Sequence, residues 1–191
     1  MRKAEVNRET RETEVKVKVN IDGNGESAIS TGVVFFDHLM RTLAVHSRID
    51  LTIQAKGDLR HHIIEDVGLV LGQALREALG ERIGIRRFGY AVVPMDDAMS
   101  IAAVDLASRP YSRIELCMIS SYVEDVSKQE LIHFLETLGT SMSATIHLQV
   151  QYGTNDHHKI EAAFKALAIS IKHAITVSDD MKSVPSAKGS L

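Results

Sequence analysis

The chain has 191 residues, 45% hydrophobic and 25% charged, with a formal net charge of -3 and a single cysteine. That is enough chain for one good-sized domain or two small fused ones, and it lacks the basic excess that marks a nucleic-acid partner. One cysteine forms no internal disulfide, which fits a reducing, cytoplasmic setting; the N-terminus has no signal-type apolar run, and no stretch approaches the roughly 18 apolar residues needed to cross a bilayer.

Taken in chain order, residues 14–21 alternate, with Val15, Val17, Val19 and Ile21 on one side. The turn Asp22-Gly23-Asn24-Gly25 and a second strand over 28–35 follow, which predicts a hairpin. A helix starts near His38. Residues 49–53 alternate again and stop at Gly57-Asp58, and Val67, Leu71, Ala74, Leu75 and Ala78 then recur at helical spacing up to Gly80 and Gly84. A boundary near 85–88 divides the chain into halves 1–86 and 87–178. In the second half, 99–106 and 112–118 give the matching strand pair, with Cys117 as a small core residue. A helix near His133, a strand over 146–150, the turn Gly153-Thr154-Asn155 and a helix with Phe164, Leu167, Ala168, Ile171 and Ile175 complete it. Residues 179–191 are rich in Ser, Lys, Pro and Gly and read as a tail. The prediction is an α+β fold of two pseudo-symmetric halves, each strand-strand-helix-strand-helix, a sheet with two helices on one face.

The repeat extends to chemistry-bearing residues. His38-Leu39-Met40-Arg41-Thr42-Leu43 matches His133-Phe134-Leu135-Glu136-Thr137-Leu138, and His61-His62-Ile63-Ile64-Glu65 matches His157-His158-Lys159-Ile160-Glu161. From His38 to His61 is 23 positions and from His133 to His157 is 24. Imidazole nitrogen and carboxylate oxygen together suit manganese, iron or zinc. Residues four apart share a helix face, so His61 with Glu65 and His157 with Glu161 can each reach one ion. Adjacent histidines stand about 100° apart on a helix, so each doublet points to two different ions. His38, His61, His62, Glu65, His133, His157, His158 and Glu161 are thus eight predicted ligands for two cations, with coordination positions left open for chemistry. Two other readings suit a two-cation cluster: a phosphate-ester hydrolase and a metal-storage or metal-sensing shell.

These residues, with Arg11-Glu12-Thr13, Phe36-Asp37-His38-Leu39-Met40, His46, Glu65-Asp66-x-Gly68, Arg87-Phe88-Gly89, Pro94-Met95-Asp96, Arg109-Pro110-Tyr111, Lys165 and Pro185-Ser186-Ala187-Lys188-Gly189, resemble the imidazoleglycerol-phosphate dehydratases of histidine biosynthesis over essentially the whole chain. The resemblance implies tandem ferredoxin-like halves of the ribosomal protein S5 domain 2-like kind. It also implies a homo-oligomeric, 24-subunit shell built from trimers and two manganese ions per active site at subunit interfaces. It assigns the eight ligands above to the metals, Arg87, Arg109, Ser186 and Lys188 to the substrate's phosphate, Glu12 to acid–base chemistry, and His46 and Lys165 to the substrate pocket. The activity implied is that of a hydro-lyase that converts D-erythro-imidazole glycerol phosphate to imidazole acetol phosphate. Family members approach the first doublet through Gly-Asp-x-His-x-Asp-Asp-His-His. Here Gly57-Asp58-Leu59-Arg60-His61-His62 is three residues shorter, and Arg60 puts a positive charge beside a predicted cation site.

The chemistry of such a substrate is demanding. No carbonyl acidifies the C–H bond to be broken, so the imidazole ring must supply electrons, and cations on its two nitrogens would favour an imidazolate and a diazafulvene-like intermediate. A carboxylate such as Glu12 is a competent base, although read without the resemblance it is one solvated residue in a charged run. Arginine offers a planar fork and lysine a point charge to a phosphate.

Overall fold

The computed structural model describes residues 2–178 and 183–189. The first half runs β1 (Lys3–Glu9), β2 (Thr13–Asn20), β3 (Ser27–Ser30), α1 (Val34–Ser47), β4 (Asp50–Gly57) and α2 (Arg60–Leu79). The second runs β5 (Phe88–Met95), β6 (Ala98–Asp105), β7 (Tyr111–Glu115), a two-stranded hairpin of β8 (Tyr122–Val123) and β9 (Val126–Ser127), α3 (Lys128–Ser141), β10 (Thr145–Tyr152) and α4 (Asp156–Ile175). The sheet orders are β1-β2-β4-β3 and β5-β6-β10-β7, the same topology twice.

Alternation on β2, β4, β6 and β10 sends one row of side chains to the helices and the other outward. On the first sheet α1 and α2 cover that face, and on the second α3 and α4 do. The two helix pairs then meet, α1 on α4 and α2 on α3. The result is four layers, sheet, helices, helices, sheet, around one continuous core. At its centre Phe36 of α1 meets the ring of Phe134 edge-on at 5.0 Å, and Phe134 stacks on Phe164 of α4 at 6.1 Å.

Four details differ from the sequence reading. Residues 14–21 and 28–35 do not pair as a hairpin, because β4 lies between β2 and β3 and runs parallel to β3; β10 separates β6 from β7 in the same way. The strand predicted to reach Phe35 stops at Ser30: Gly32 turns the chain at φ +81, and Phe35 and Phe36 enter the core from the first turn of α1. Cys117 is exposed, since β7 ends at Glu115 and the chain kinks at Cys117 (φ +48), turning Leu116 and Met118 inward instead. Strands β1 and β5 were absent from the reading. β1 is an edge strand with only Val6 buried, and its charged residues hide the alternation.

Close helix approach has its own sequence basis. His61, Glu65, Gly68 and Gly72 fall on one face of α2 at helical spacing. A Cβ on Gly72 would stand 2.8 Å from the Leu138 carbonyl oxygen and 2.9 Å from the Met142 nitrogen, and one on Gly68 3.1 Å from the Phe134 carbonyl oxygen. The glycines let α3 lie backbone-close against the face of α2 that carries His61 and Glu65. No helix among the described residues is long and apolar enough to cross a membrane.

Candidate metal centre and phosphate pocket

Six of the eight predicted ligands form two trios, each built across the boundary between the halves. In the first, His38 of α1 meets His157 and Glu161 of α4, with Nε2 of the two histidines 3.2 and 3.3 Å from Glu161 Oε2. In the second, His133 of α3 meets His61 and Glu65 of α2, with His133 Nε2 3.1 Å from Glu65 Oε1 and His61 Nε2 3.7 Å from Glu65 Oε2. Within each trio one donor atom per residue lies within 4.8 Å of the others. In the sequence, His38 and His133 stand in different halves, each far from the other half's histidine doublet. The fold brings each to the opposite half of the same chain, because α1 packs on α4 and α2 on α3.

The trios fit a divalent cation on an observation independent of the repeat. His133 Nε2 is buried and has no hydrogen-bond partner among the described residues; its 3.1 Å approach to Glu65 lacks hydrogen-bonding geometry. A buried polar atom without a partner costs about 1–3 kcal/mol, and a cation between the two donors removes that cost. In the other trio His157 Nδ1 lies 3.1 Å from Glu124 Oε1, which fixes the ring and leaves Nε2 facing Glu161. Burial pushes the Glu161 carboxyl up, but hydrogen bonds from Lys165 and His38 outweigh it and hold it below its usual value.

The second member of each doublet faces away from its trio. His62 Nδ1 sits 2.8 Å from Asp58, and His158 Nδ1 2.6 Å from Asp97. Asp97 also accepts the Thr154 hydroxyl and the backbone N–H groups of Thr154 and Asn155, and these bonds, led by the hydroxyl, hold its carboxyl far below the usual carboxylate range. Each of these imidazoles is therefore oriented by a carboxylate on Nδ1, and His158 Nε2 lies 3.4 Å from Asp96 Oδ2. Sequence reading had not singled out Asp58, Asp97 or Glu124. Asp58 was findable, one helical turn before His62; Asp97 and Glu124 reach their histidines only through the fold.

A cavity of about 500 Å³ lies elsewhere, lined by Arg87, Ala107, Ser108, Arg109, Ser186, Ala187 and Lys188. It gathers all four predicted phosphate residues. Arg87 is held by Asp105 at 2.7 and 3.1 Å and by the Pro185 carbonyl oxygen at 2.9 Å, and Gly84 N–H bonds the Ser183 carbonyl oxygen, which fastens the described part of the tail. Of the predicted tail 179–191, residues 179–182, 190 and 191 lie outside the described residues.

A family model for imidazoleglycerol-phosphate dehydratase matches residues 31–171. The chain belongs to the imidazoleglycerol-phosphate dehydratase family. It is 48% identical to the dehydratase of Methanothermobacter thermautotrophicus over 100% of this chain and 98% of that one, and 45% identical to the dehydratase of Methanosarcina mazei over the full length of both. A crystal structure of the Pyrococcus furiosus protein aligns with a TM-score of 0.86 and 37% identity, covering 97% of this chain and 100% of that one. The Staphylococcus aureus dehydratase aligns at 0.85 with 30% identity, over 92% and 99%.

The remaining residues that the dehydratase resemblance singled out are placed as follows. Glu12 is exposed, with Oε2 3.9 Å from His62 Nδ1, so it accompanies the outward-facing doublet member rather than a trio. Lys165 bonds Glu161 Oε1 at 2.8 Å, against the first trio. His46 lies two helical turns beyond His38; burial first, then the charge of Lys165, pushes its imidazole pKa down. Arg60 turns away from the second trio and places Nε 3.0 Å from Glu130 Oε1.

Proposed function

We propose that this chain is a metal-dependent hydro-lyase that dehydrates imidazoleglycerol phosphate to imidazole acetol phosphate, with two manganese ions in each active site and the sites shared between copies. The observation that carries the reading is the pair of cross-half His/Glu trios, with the unpartnered nitrogen of His133 aimed into one of them. Family membership supplies the reaction. Bound cations would supply Lewis acidity at the two nitrogens of the substrate ring.

The chain's own residues divide the remaining work. His38, His157 and Glu161 hold one cation and His61, Glu65 and His133 the other. His62 and His158, oriented by Asp58 and Asp97, offer a fourth ligand to cations held by a neighbouring copy. Glu12, beside His62, takes the proton from the carbon next to the one that loses its hydroxyl; the C–H and C–O bonds break, water leaves, and the enol becomes the ketone. His46 and Lys165 line the substrate's approach to the first trio. Arg87, Arg109, Ser186 and Lys188 bind the phosphate.

Distance argues for sharing. Arg87 N–H bonds the carbonyl oxygen of Ala174, at the C-terminal end of α4, at 2.9 Å. His157 is at the opposite end of that helix, seventeen residues away, or about 25 Å at 1.5 Å per residue. Three carbons and a phosphate ester at roughly 1.5 Å per bond reach less than about 10 Å from the ring. The backbone separation is therefore well over the substrate's own reach, which supports a site shared between copies. The outer face of the second sheet offers a surface for a neighbour: Phe88, Tyr90, Val92 and Ile101 form an exposed apolar strip there. The corresponding face of the first sheet carries Glu5, Glu14, Lys16, Lys18 and Lys56. A shell of 24 copies is the arrangement that the family resemblance favours.

The direct test is ketone formation from imidazoleglycerol phosphate by manganese-loaded protein, its loss on chelation and its return with added manganese. Absence of turnover in loaded protein would reject the function. Glu12→Gln is expected to keep its manganese and lose about 10²–10⁴-fold in turnover, the range for a general base; unchanged turnover removes Glu12 from the reaction. Sharing has its own test. Lys188→Ala is expected to raise KM with metals retained, and His133→Ala to abolish turnover. Dissociating the two variants, mixing and reassembling them should restore sites that combine one copy's intact trios with another's intact pocket. Activity no greater than the average of the separate variants would place each site within a single copy.

A further inference from the structure

Twelve residues, 116–127, join β7 to α3, where three, 31–33, join β3 to α1 in the first half. The added length is the β8–β9 hairpin and its approach, and it contacts the N-terminal end of every helix. At its turn, Asp125 accepts the backbone N–H groups of Val34 (2.7 Å) and Phe35 (3.0 Å) in the first turn of α1, just before His38. The neighbouring turn residue, Glu124, holds His157. The N–H groups of Ile119 and Ser120 donate to Asp156, the first residue of α4. Ser127 caps α3 in a reciprocal box with Glu130. The other oxygen of Glu130 takes Arg60, the first residue of α2, whose guanidinium also lies 5.8 Å from the centre of the Tyr122 ring.

We infer that this hairpin is the device that sets the geometry of both cation trios, with Asp125 and the Arg60–Glu130 pair as positioning residues; the inference rests on the trios being cation sites. Each trio spans two helices from different halves, joined by core packing of apolar and small side chains. Such packing resists separation more strongly than sliding, and a cation site requires its donors held to about 0.5 Å. Pins at the helix N-termini remove the sliding freedom where the ligands are. Asp125 fixes α1 to the segment that also holds α4, which sets His38 against His157 and Glu161. Arg60 fixes α2 to α3, which sets His61 and Glu65 against His133. Arg60 thereby does in this chain the reverse of what its charge suggests. A bare guanidinium beside a cation site repels the ion, whereas one paired with the nearly buried Glu130 carboxylate brings the ligands together.

The experiment titrates full-length protein with manganese alone, in two backgrounds that each leave one trio intact: His133→Ala for the first and His38→Ala for the second. Arg60→Met is expected to raise the Kd of the second trio about tenfold, the lower end for loss of a residue that orients metal ligands, and to leave the first unchanged. Asp125→Ala should do the opposite. Asp125→Asn should recover part of the first trio's affinity, because its amide oxygen still accepts one backbone N–H of α1 while its amide nitrogen cannot accept the other. If Asp125→Ala does not fold, Asp125→Ser carries the same expectation in weaker form. Arg60→Met that binds manganese as tightly as its parent, or more tightly, would overturn the inference, as would Asp125→Ala shifting both trios equally. Backgrounds that take up no manganese would reject the cation sites themselves and this inference with them.

Discussion

Replacing His133 by alanine is expected to leave a folded protein that holds one manganese fewer per chain and turns over at least about a thousandfold more slowly. Among the described residues, His133 is the one member of the second trio that α3 supplies, and Glu65 and His61 lie on one face of α2 with no other imidazole grouped with them. Without it the cation keeps two ligands from this chain. The metal-free protein should tolerate the change, since the ring nitrogen that is lost has no hydrogen-bond partner to strand. The contrast is the diagnostic feature. A ligand that binds only the folded state stabilises it by mass action, so the rise in Tm on adding manganese should shrink in His133→Ala while the Tm without metal moves little. Full manganese content with normal turnover would remove the second trio from the active site.

The second large effect lies one residue further on. Phe134→Ala is expected to cost about 3–5 kcal/mol of stability, the range for emptying a well-packed aromatic site. Phe134 is fully buried, touches Phe36 and Phe164 from two other helices, and approaches Gly68 of α2 closely. It therefore contacts all four helices' shared core, and the cavity cannot close without shifting helices that carry ligands. Against a total of about 5–15 kcal/mol for a native protein, the loss should be plain in urea unfolding. Manganese affinity at the second trio should fall with it, because α3 loses the packing that holds His133 opposite α2. A loss below about 1 kcal/mol would mean that the helix layers are held by something other than this aromatic contact.

Much of the active chemistry was legible in the chain because it is written twice. The two His-His-x-x-Glu segments and their upstream histidines stand out against the background of an ordinary composition, and helical spacing alone puts His61 with Glu65 and His157 with Glu161. Burial on α2 and α4 follows the predicted apolar positions, from Val67 to Ala78 and from Phe164 to Ile175. Strand order was not legible. β2 and β3 are neighbours in sequence and look like a hairpin, yet the hydrogen bonds that decide their places come from β4, twenty residues later, and alternation along a strand says which face is buried but not which strand lies beside it. The edge strand β1 escaped because a strand with one buried residue has almost no periodic signal.

The sequence by itself therefore determined which residues are candidate ligands and on which helix faces they stand, since both depend on local spacing within a single turn or two of chain. Tertiary structure alone decided which of these candidates meet in one trio. His38 joins Glu161 across 123 positions and His133 joins Glu65 across 68 because the two helix pairs bury their apolar faces against each other, and a contact between distant segments is fixed by that packing rather than by any local pattern. The same holds for Arg60. Its charge read as a liability beside a cation, and only the fold places Glu130 where it can take that charge and use it to tie two ligand-bearing helices together.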